Sequence, residues 1–448
     1  TYLIPTLIAA ALALGVFMGG KLHFNDTPER LFTTNSKKDK LNRLIDYIEY
    51  EYVDDIDTDS IVDVTVNSIL EKLDPHSVYI PEEDMARVSE NMKGDFVGIG
   101  VNFYPYKDSI AVIRAVKGGP SDVKGIRSGD RILMADNDTL YGKGMPSDVI
   151  VDKLKGKEGT KVKLTVYRKS EDKIVRIDVK RGIVPIKSVE SYYMLTADMG
   201  YIKVNRFAES TYREFKSALT KLQRKGAQKL VLDLRDNPGG YLGVAEQMAD
   251  EFLKDDKLIL FTKNKRGKID KSYATDKGSF EDKPIYVLIN ERSASASEII
   301  AGALQDNDVG TIVGRRSFGK GLVQTTVPLT YNSQMKVTTA KYYIPSGRCI
   351  QAIDYLKTRE NGALTTVPDS LRKEFKTKNG RIVLDGAGIE PDQLTEPISY
   401  APISYSLVAR NHIFDFATEY FYKYSKIGEP SSYSISDQEY KDFLSWLK

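Results

Sequence analysis

The chain has 448 residues, 41% hydrophobic and 28% charged, a folded-protein profile that excludes disorder of the whole chain. Its 65 basic and 62 acidic residues leave a net charge of +3, which gives no electrostatic reason to expect nucleic acid or another polyanion as partner. A single cysteine, Cys349, excludes an internal disulfide and a cysteine-based metal centre, and only His23, His76 and His412 are available for a Ser–His pair.

Residues 1–20 (TYLIPTLIAAALALGVFMGG) carry no charge before Lys21. About 20 apolar residues at ~1.5 Å each span a ~30 Å hydrocarbon core, so an N-terminal transmembrane segment over 1–22 is expected. A signal peptide cut near Ala9–Ala13 is the competing reading, and both place the rest of the chain outside the cytoplasm. Residues 23–92 predict a helical region, with apolar positions at helical spacing from Leu41 to Tyr52 and from Ser60 to Leu73. Asp74-Pro75-His76-Ser77 breaks that pattern.

Over 93–182 the pattern changes to short apolar runs between Gly-rich turns. KVKLTVYR and IVRIDVKR read as period-2 strands with one buried face, and Ser147–Leu154 as a short helix. Gly118-Gly119-Pro120-Ser121, Gly125 and Ser128-Gly129-Asp130-Arg131-Ile132-Leu133 resemble the corresponding stretch of bacterial PDZ modules. That resemblance places a peptide-binding loop at Gly98-Ile99-Gly100-Val101. Glycines there would present successive N–H groups to a terminal carboxylate, and the bound tail would add as a strand to the sheet edge.

Residues 183–352 read as a layered α/β core. Lys229–Leu234 and Ile285–Ile289 are continuous apolar runs suited to strands buried on both faces, alternating with helical segments at Ser210–Gln223, Tyr241–Leu253 and Ser297–Leu304. The tail, 353–448, predicts helices near Ile413–Tyr424 and Asp437–Leu447.

Three stretches of the core carry chemistry. Asp233-Leu234-Arg235-Asp236-Asn237-Pro238-Gly239-Gly240 leaves a strand for a helix, and paired glycines there free N–H donors for an oxyanion, unless they serve only the turn. Ser293-Ala294-Ser295-Ala296-Ser297-Glu298 opens the next helix, where free N–H groups favour developing negative charge. Its plainer reading is a capping box of Ser295 with Glu298, which uses one serine and leaves the small-residue run unexplained. Ser317-Phe318-Gly319-Lys320-Gly321-Leu322-Val323-Gln324 sets a lysine between two glycines, read alone as a lysine exposed in a surface turn.

Together and in this order, these stretches are similar to the S41 family of carboxyl-terminal processing peptidases. The resemblance extends to Leu73-Asp74-Pro75-His76-Ser77, to Lys341-Tyr342-Tyr343-Ile344-Pro345-Ser346-Gly347-Arg348 and to Gly388-Ile389-Glu390-Pro391-Asp392. It implies an α/β core of the ClpP/crotonase type with an inserted PDZ domain, completed by part of residues 353–448. It implies Ser295 as nucleophile, Lys320 as general base and Gln324 as the residue orienting the lysine. The oxyanion donors would be the N–H of Ala296 and of Gly239 or Gly240. The function implied is a serine endopeptidase that cleaves envelope proteins near their C-termini and binds their tails through the PDZ module. No cofactor or metal is implied, and the expected location is the cell envelope, on the periplasmic side of the inner membrane. The expected partners are polypeptides with accessible C-terminal tails, with a homo-oligomer or an activating partner also compatible with the family. Lys155-Gly156 departs from the Arg-Gly found at that point in many relatives. The alternatives are a PDZ scaffold with a catalytically silent core, a CoA-type acyltransfer enzyme, and a Ser–His hydrolase using His76.

Overall fold

The structure is a computed structural model that describes residues 36–106, 109–142, 144–358, 364–397, 399–424 and 433–447. The expected membrane segment lies outside the described residues, and no helix among those described is long and apolar enough to cross a membrane. The chain divides into two compact units at residue 72. The described part of the first holds the helices Ser36–Glu51 and Thr58–Glu71, the second starting at Asp57, whose carboxylate accepts from Ser60 N at 3.3 Å.

The second unit begins with the 74–77 turn and a short strand, β1 (Val78–Ile80), before the helix Glu82–Lys93. The helical pattern breaks at 74–77 as expected, and the residues just after the break form a strand rather than more helix. The turn at Asp74-Pro75 ends the helical period and leaves Val-Tyr-Ile free to pair with a distant strand.

The PDZ-like module is built from β2 (Asp95–Gly98), β3 (Val101–Tyr106), β4 (Ser109–Ala115), β5 (Arg131–Ala135), β6 (Asp138–Thr139), β7 (Lys161–Arg168), β8 (Lys173–Lys180) and β9 (Gly182–Pro185). Strands β3-β4-β5-β7-β8 form one antiparallel sheet with β6 on β5, and β2 pairs with β9 at its base. In β7 the alternate positions Val162, Leu164 and Val166 are buried, so the period-2 reading holds. They join Ile110, Val112, Ile132, Ile150 and Leu154 in a separate small core.

The α/β core has a six-stranded sheet in the order β10 (Val189–Met194), β11 (Met199–Val204), β12 (Lys229–Asp233), β15 (Ile285–Ile289), β16 (Gly310–Gly314) and β23 (Gln393–Leu394). All neighbours beyond β10 are parallel. A second, antiparallel sheet contains β1, β13 (Leu258–Asn264), β14 (Ile269–Tyr273), β17 (Leu322–Pro328) and β18 (Gln334–Tyr343). Two hairpins, β19 (Ile353–Thr358) with β20 (Leu364–Thr366) and β21 (Glu374–Lys376) with β22 (Ile382–Leu384), precede β23. The helix Ala296–Asp306 packs against β16 of one sheet and β13 of the other, and every one of its residues is buried. Its Gly302 accommodates Ile344, whose Cδ1 would lie 2.8 Å from an added Cβ.

The tail holds three helices, Pro402–Ala409, His412–Lys423 and Asp437–Trp446. The middle one packs on the PDZ-like module: Tyr104 donates to Asn411 Oδ1 at 2.5 Å, Tyr106 donates to Asp415, and both rings pack against Phe414.

Candidate active site

The chemistry-bearing stretches leave the carboxyl ends of three adjacent parallel strands, β12, β15 and β16, the edge at which open α/β sheets bind ligands. Three loops therefore meet at one place although they are far apart in sequence.

The loop after β12 is anchored by buried Asp233, which accepts from Tyr201 Oη at 2.6 Å and from Arg235 Nε and Nη2 at 2.9 and 2.6 Å. Asn237 Nδ2 donates to Val204 O at 2.8 Å, and Gly239 N–H donates to Asn237 Oδ1 at 2.9 Å. Gly239 has φ +101°, and a Cβ there would lie 2.8 Å from Ser295 Cβ and 3.0 Å from Ala296 N. Gly240 faces elsewhere, with Phe207 O 2.2 Å from its added Cβ. Of the two candidate glycines, Gly239 is the one whose α-carbon presses on the serine.

The loop after β15 distinguishes its three serines. Ser293 is buried, accepts from Asn290 N at 2.9 Å and donates to Leu234 O at 2.8 Å. Ser297 is buried and donates to Asn237 O at 3.0 Å. Both hydroxyls fasten this loop to the one before it. Ser295, half-buried, is the N-cap of the helix Ala296–Asp306, with φ +56° and ψ −113°. A non-glycine residue at such dihedrals is strained, and strain of this kind collects at functional sites. Ala296 is buried at the first helical position, where N–H groups lack intrahelical partners.

The loop after β16 differs from the expectation of an exposed lysine. Lys320 is half-buried and both flanking glycines are buried. Gly319 (φ +88°) would put a Cβ 2.5 Å from Ala352 Cβ, and Gly321 would put one 3.0 Å from Gln351 N. Glycine is needed here for close backbone approach rather than for exposure. Burial pushes the Lys320 ammonium down from its usual range and Lys336 pushes it further, against the attraction of Asp74 and Glu298. Of the apolar neighbours in this loop, Leu322 is buried, whereas Phe318 is 44% exposed.

Glu298 joins the last two loops. It is fully buried, and its Oε2 accepts from Ser295 N at 2.8 Å and from Lys320 N at 2.9 Å. The two main chains are thus held on one oxygen. Gln324 lies in β17 beside a register shift between Val323 and Gln324, and its Nε2 donates to Thr338 Oγ1 at 3.1 Å. Thr338 N in turn donates to Ser77 Oγ at 3.1 Å, and Ser77 Oγ donates to Asp74 Oδ2 at 3.0 Å. The 74–77 turn, quoted above only for its resemblance, is therefore tied to the base's surroundings. His76 of that turn has Nε2 3.2 Å from Tyr355 Oη. Sequence reasoning missed Asp74, Lys336 and Thr338; the unassigned LDPHS stretch was the available signal for the first of them. Gly98-Ile99-Gly100-Val101 joins β2 to β3, an edge strand of its sheet, with Ile99 buried and Gly100 at φ +72°.

Comparison with known proteins gives the same outline. The family model described as "Peptidase family S41" matches residues 198–357, a PDZ domain model matches 97–179, and "Probable PDZ-protease, C-terminal helical domain" matches 403–448. A "Carboxy-terminal-processing protease" of Bartonella bacilliformis is 35% identical over 349 residues, 76% of this chain and 79% of the relative. A "Probable CtpA-like serine protease" of Staphylococcus aureus (strain COL) is 36% identical over 322 residues, 71% of this chain, which spans 63% of that relative's length. Among solved structures, a photosystem II D1 C-terminal processing protease is 25% identical with a TM-score of 0.44, covering 80% of this chain and 86% of its own.

Proposed function

The chain belongs to peptidase family S41 and is a carboxy-terminal-processing serine protease with a PDZ domain, and from that premise we propose that it cleaves envelope polypeptides near their C-termini with Ser295 as nucleophile and Lys320 as general base. The observation that carries the reading is the shared hold of one carboxylate oxygen on the main chains of Ser295 and Lys320, beside a middle serine at strained dihedrals.

A serine hydroxyl is a weak nucleophile and needs a base within reach. Lysine ordinarily titrates near ~10.4, and desolvation brings a neutral amine into range at working pH. Lys320 Nζ takes the Ser295 proton as Oγ bonds to the scissile carbonyl carbon. The carbonyl oxygen becomes an oxyanion facing the N–H of Ala296, with a second donor from the turn, either Gly240 N–H or a Gly239 N–H released from Asn237 Oδ1. Collapse breaks the C–N bond, and the leaving amine takes the proton from Lys320. Water then attacks the acyl-enzyme by the same route and frees Ser295. Gln324, fixed through its amide nitrogen by Thr338, turns its carbonyl oxygen to orient the amine. The substrate tail lies along β3 with its carboxylate at the Gly98–Val101 turn.

Membrane anchoring by residues 1–22 and a site of action outside the cytoplasm belong to the same proposal, resting on the uncharged N-terminal run. A scaffold with a silent core has no support here, as the relatives are named proteases.

The test is casein cleavage and fluorophosphonate labelling of the wild type, Ser295→Ala and Lys320→Ala. Labelling is expected to vanish in Ser295→Ala. Cleavage is expected to fall by at least about 10³-fold in both variants with little change in melting. Retained turnover in Lys320→Ala would refute the base assignment.

A further inference from the structure

Glu298 has more partners than a helix cap requires. A capping carboxylate answers the N–H of its own N-cap residue, here Ser295. The other three donors come from the loop 317–320: Lys320 N on Oε2, Ser317 Oγ at 2.5 Å and Gly319 N at 2.6 Å on Oε1. Ser317 Oγ accepts from Ile389 N at 2.7 Å, so its own hydrogen is directed to the carboxylate. Burial pushes this carboxyl up, but four donors converge on it, the pattern an acceptor-only carboxylate satisfies.

We propose that Glu298 is a positioning residue of the reaction: its carboxylate holds the strained main chain of Ser295 and the main chain of Lys320 on one oxygen, and so sets the reach between nucleophile and base. This rests on the Ser295–Lys320 reading. Such a part is invisible to the acid–base chemistry itself, because Glu298 touches neither the substrate nor the proton in flight. Its charge nevertheless reaches the base. The charged or titratable groups facing Lys320 are Lys336 from β18, Asp74 and His76 from the 74–77 turn, and Glu298 from the buried helix. Among them Glu298 and Asp74 favour the ammonium form.

Glu298→Gln keeps the shape but, whichever way the amide is turned, sets an NH2 against two donors. Its kcat for casein is expected to fall about 10²-fold, as for a misplacement near 1 Å, with KM within about twofold. The acidic limb of its pH–kcat/KM profile is expected to move to lower pH, because a charge favouring protonated Lys320 has gone. Glu298→Asp keeps the charge and retracts it by one methylene, so its kcat falls while the limb stays near the wild-type position. Wild-type kcat in Glu298→Gln, or a lowered kcat with an unmoved limb, overturns the proposal. Ser295→Ala assayed alongside separates the two readings: activity there sinks the serine assignment itself, whereas an inactive Ser295→Ala with an unaffected Glu298→Gln sinks only this inference. Should the Glu298 variants fail to fold, Ser317→Ala removes one donor and leaves the charge in place. Its kcat is expected to drop about tenfold at constant KM, and wild-type kcat in that variant likewise overturns the proposal.

Discussion

Ser295 sits at φ +56°, ψ −113°, between two serines whose hydroxyls are spent on neighbouring loops. Residue type alone made the three serines equivalent; hydrogen bonding separates them. His76 shows a second effect at this scale. Burial, then the nearby Lys320, push its ring down from 6.5 to about 4, against the pull of Asp74. The folded ring therefore stays neutral where the unfolded chain's ring is already protonated. Its contribution to stability is present above pH 6.5 and is lost as pH falls from 6.5 towards 4. His76→Gln is expected to flatten the dependence of Tm on pH across that window. Equal slopes in variant and wild type would show that the ring titrates normally.

Elements were read from period and punctuation, and the strongest patterns hold. The predicted helix Ser147–Leu154 is found with those bounds, and the KLVLDL and IYVLI runs are adjacent central strands β12 and β15. Strand β1 went unseen because three residues carry no period, and its pairing with β18 depends on a partner remote in sequence. In the PDZ-like module, Arg168 at the end of β7 makes a bidentate pair with buried Asp130 at 2.9 and 2.8 Å, and Arg127 N donates to the same carboxylate. Removing one partner of a buried pair strands the other. Asp130→Ala is expected to cost the module about 3–5 kcal/mol, read as a lower denaturant midpoint. A loss below about 1 kcal/mol would mean that the pair behaves as an exposed one.

At the scale of the molecule, a PDZ-like module and an α/β core lie in one compact unit, and the helix His412–Lys423 packs on the former. If β3 and the Gly98–Val101 turn capture substrate tails, recognition begins at the substrate's terminal carboxylate. Amidating that terminus is expected to lower kcat/KM by roughly tenfold, the scale of one charge-assisted hydrogen-bond set. Equal rates for acid and amide would remove carboxylate capture from the account.

The sequence by itself determined the inventory: apolar runs for the central strands, glycine pairs at the turns, three serines at a helix start, a lysine between glycines, and the likeness to a peptidase family. These are local properties, set by side-chain period and by the backbone freedom of particular residues. Only the tertiary structure decided that the outer two serines fasten the neighbouring loop while the middle one stands at strained dihedrals, that Lys320 is sheltered rather than exposed, and that Asp74, Lys336 and Glu298 surround it. Burial and Coulomb interaction depend on distance through space, and that distance is set by the crossing of strands whose loops are remote along the chain.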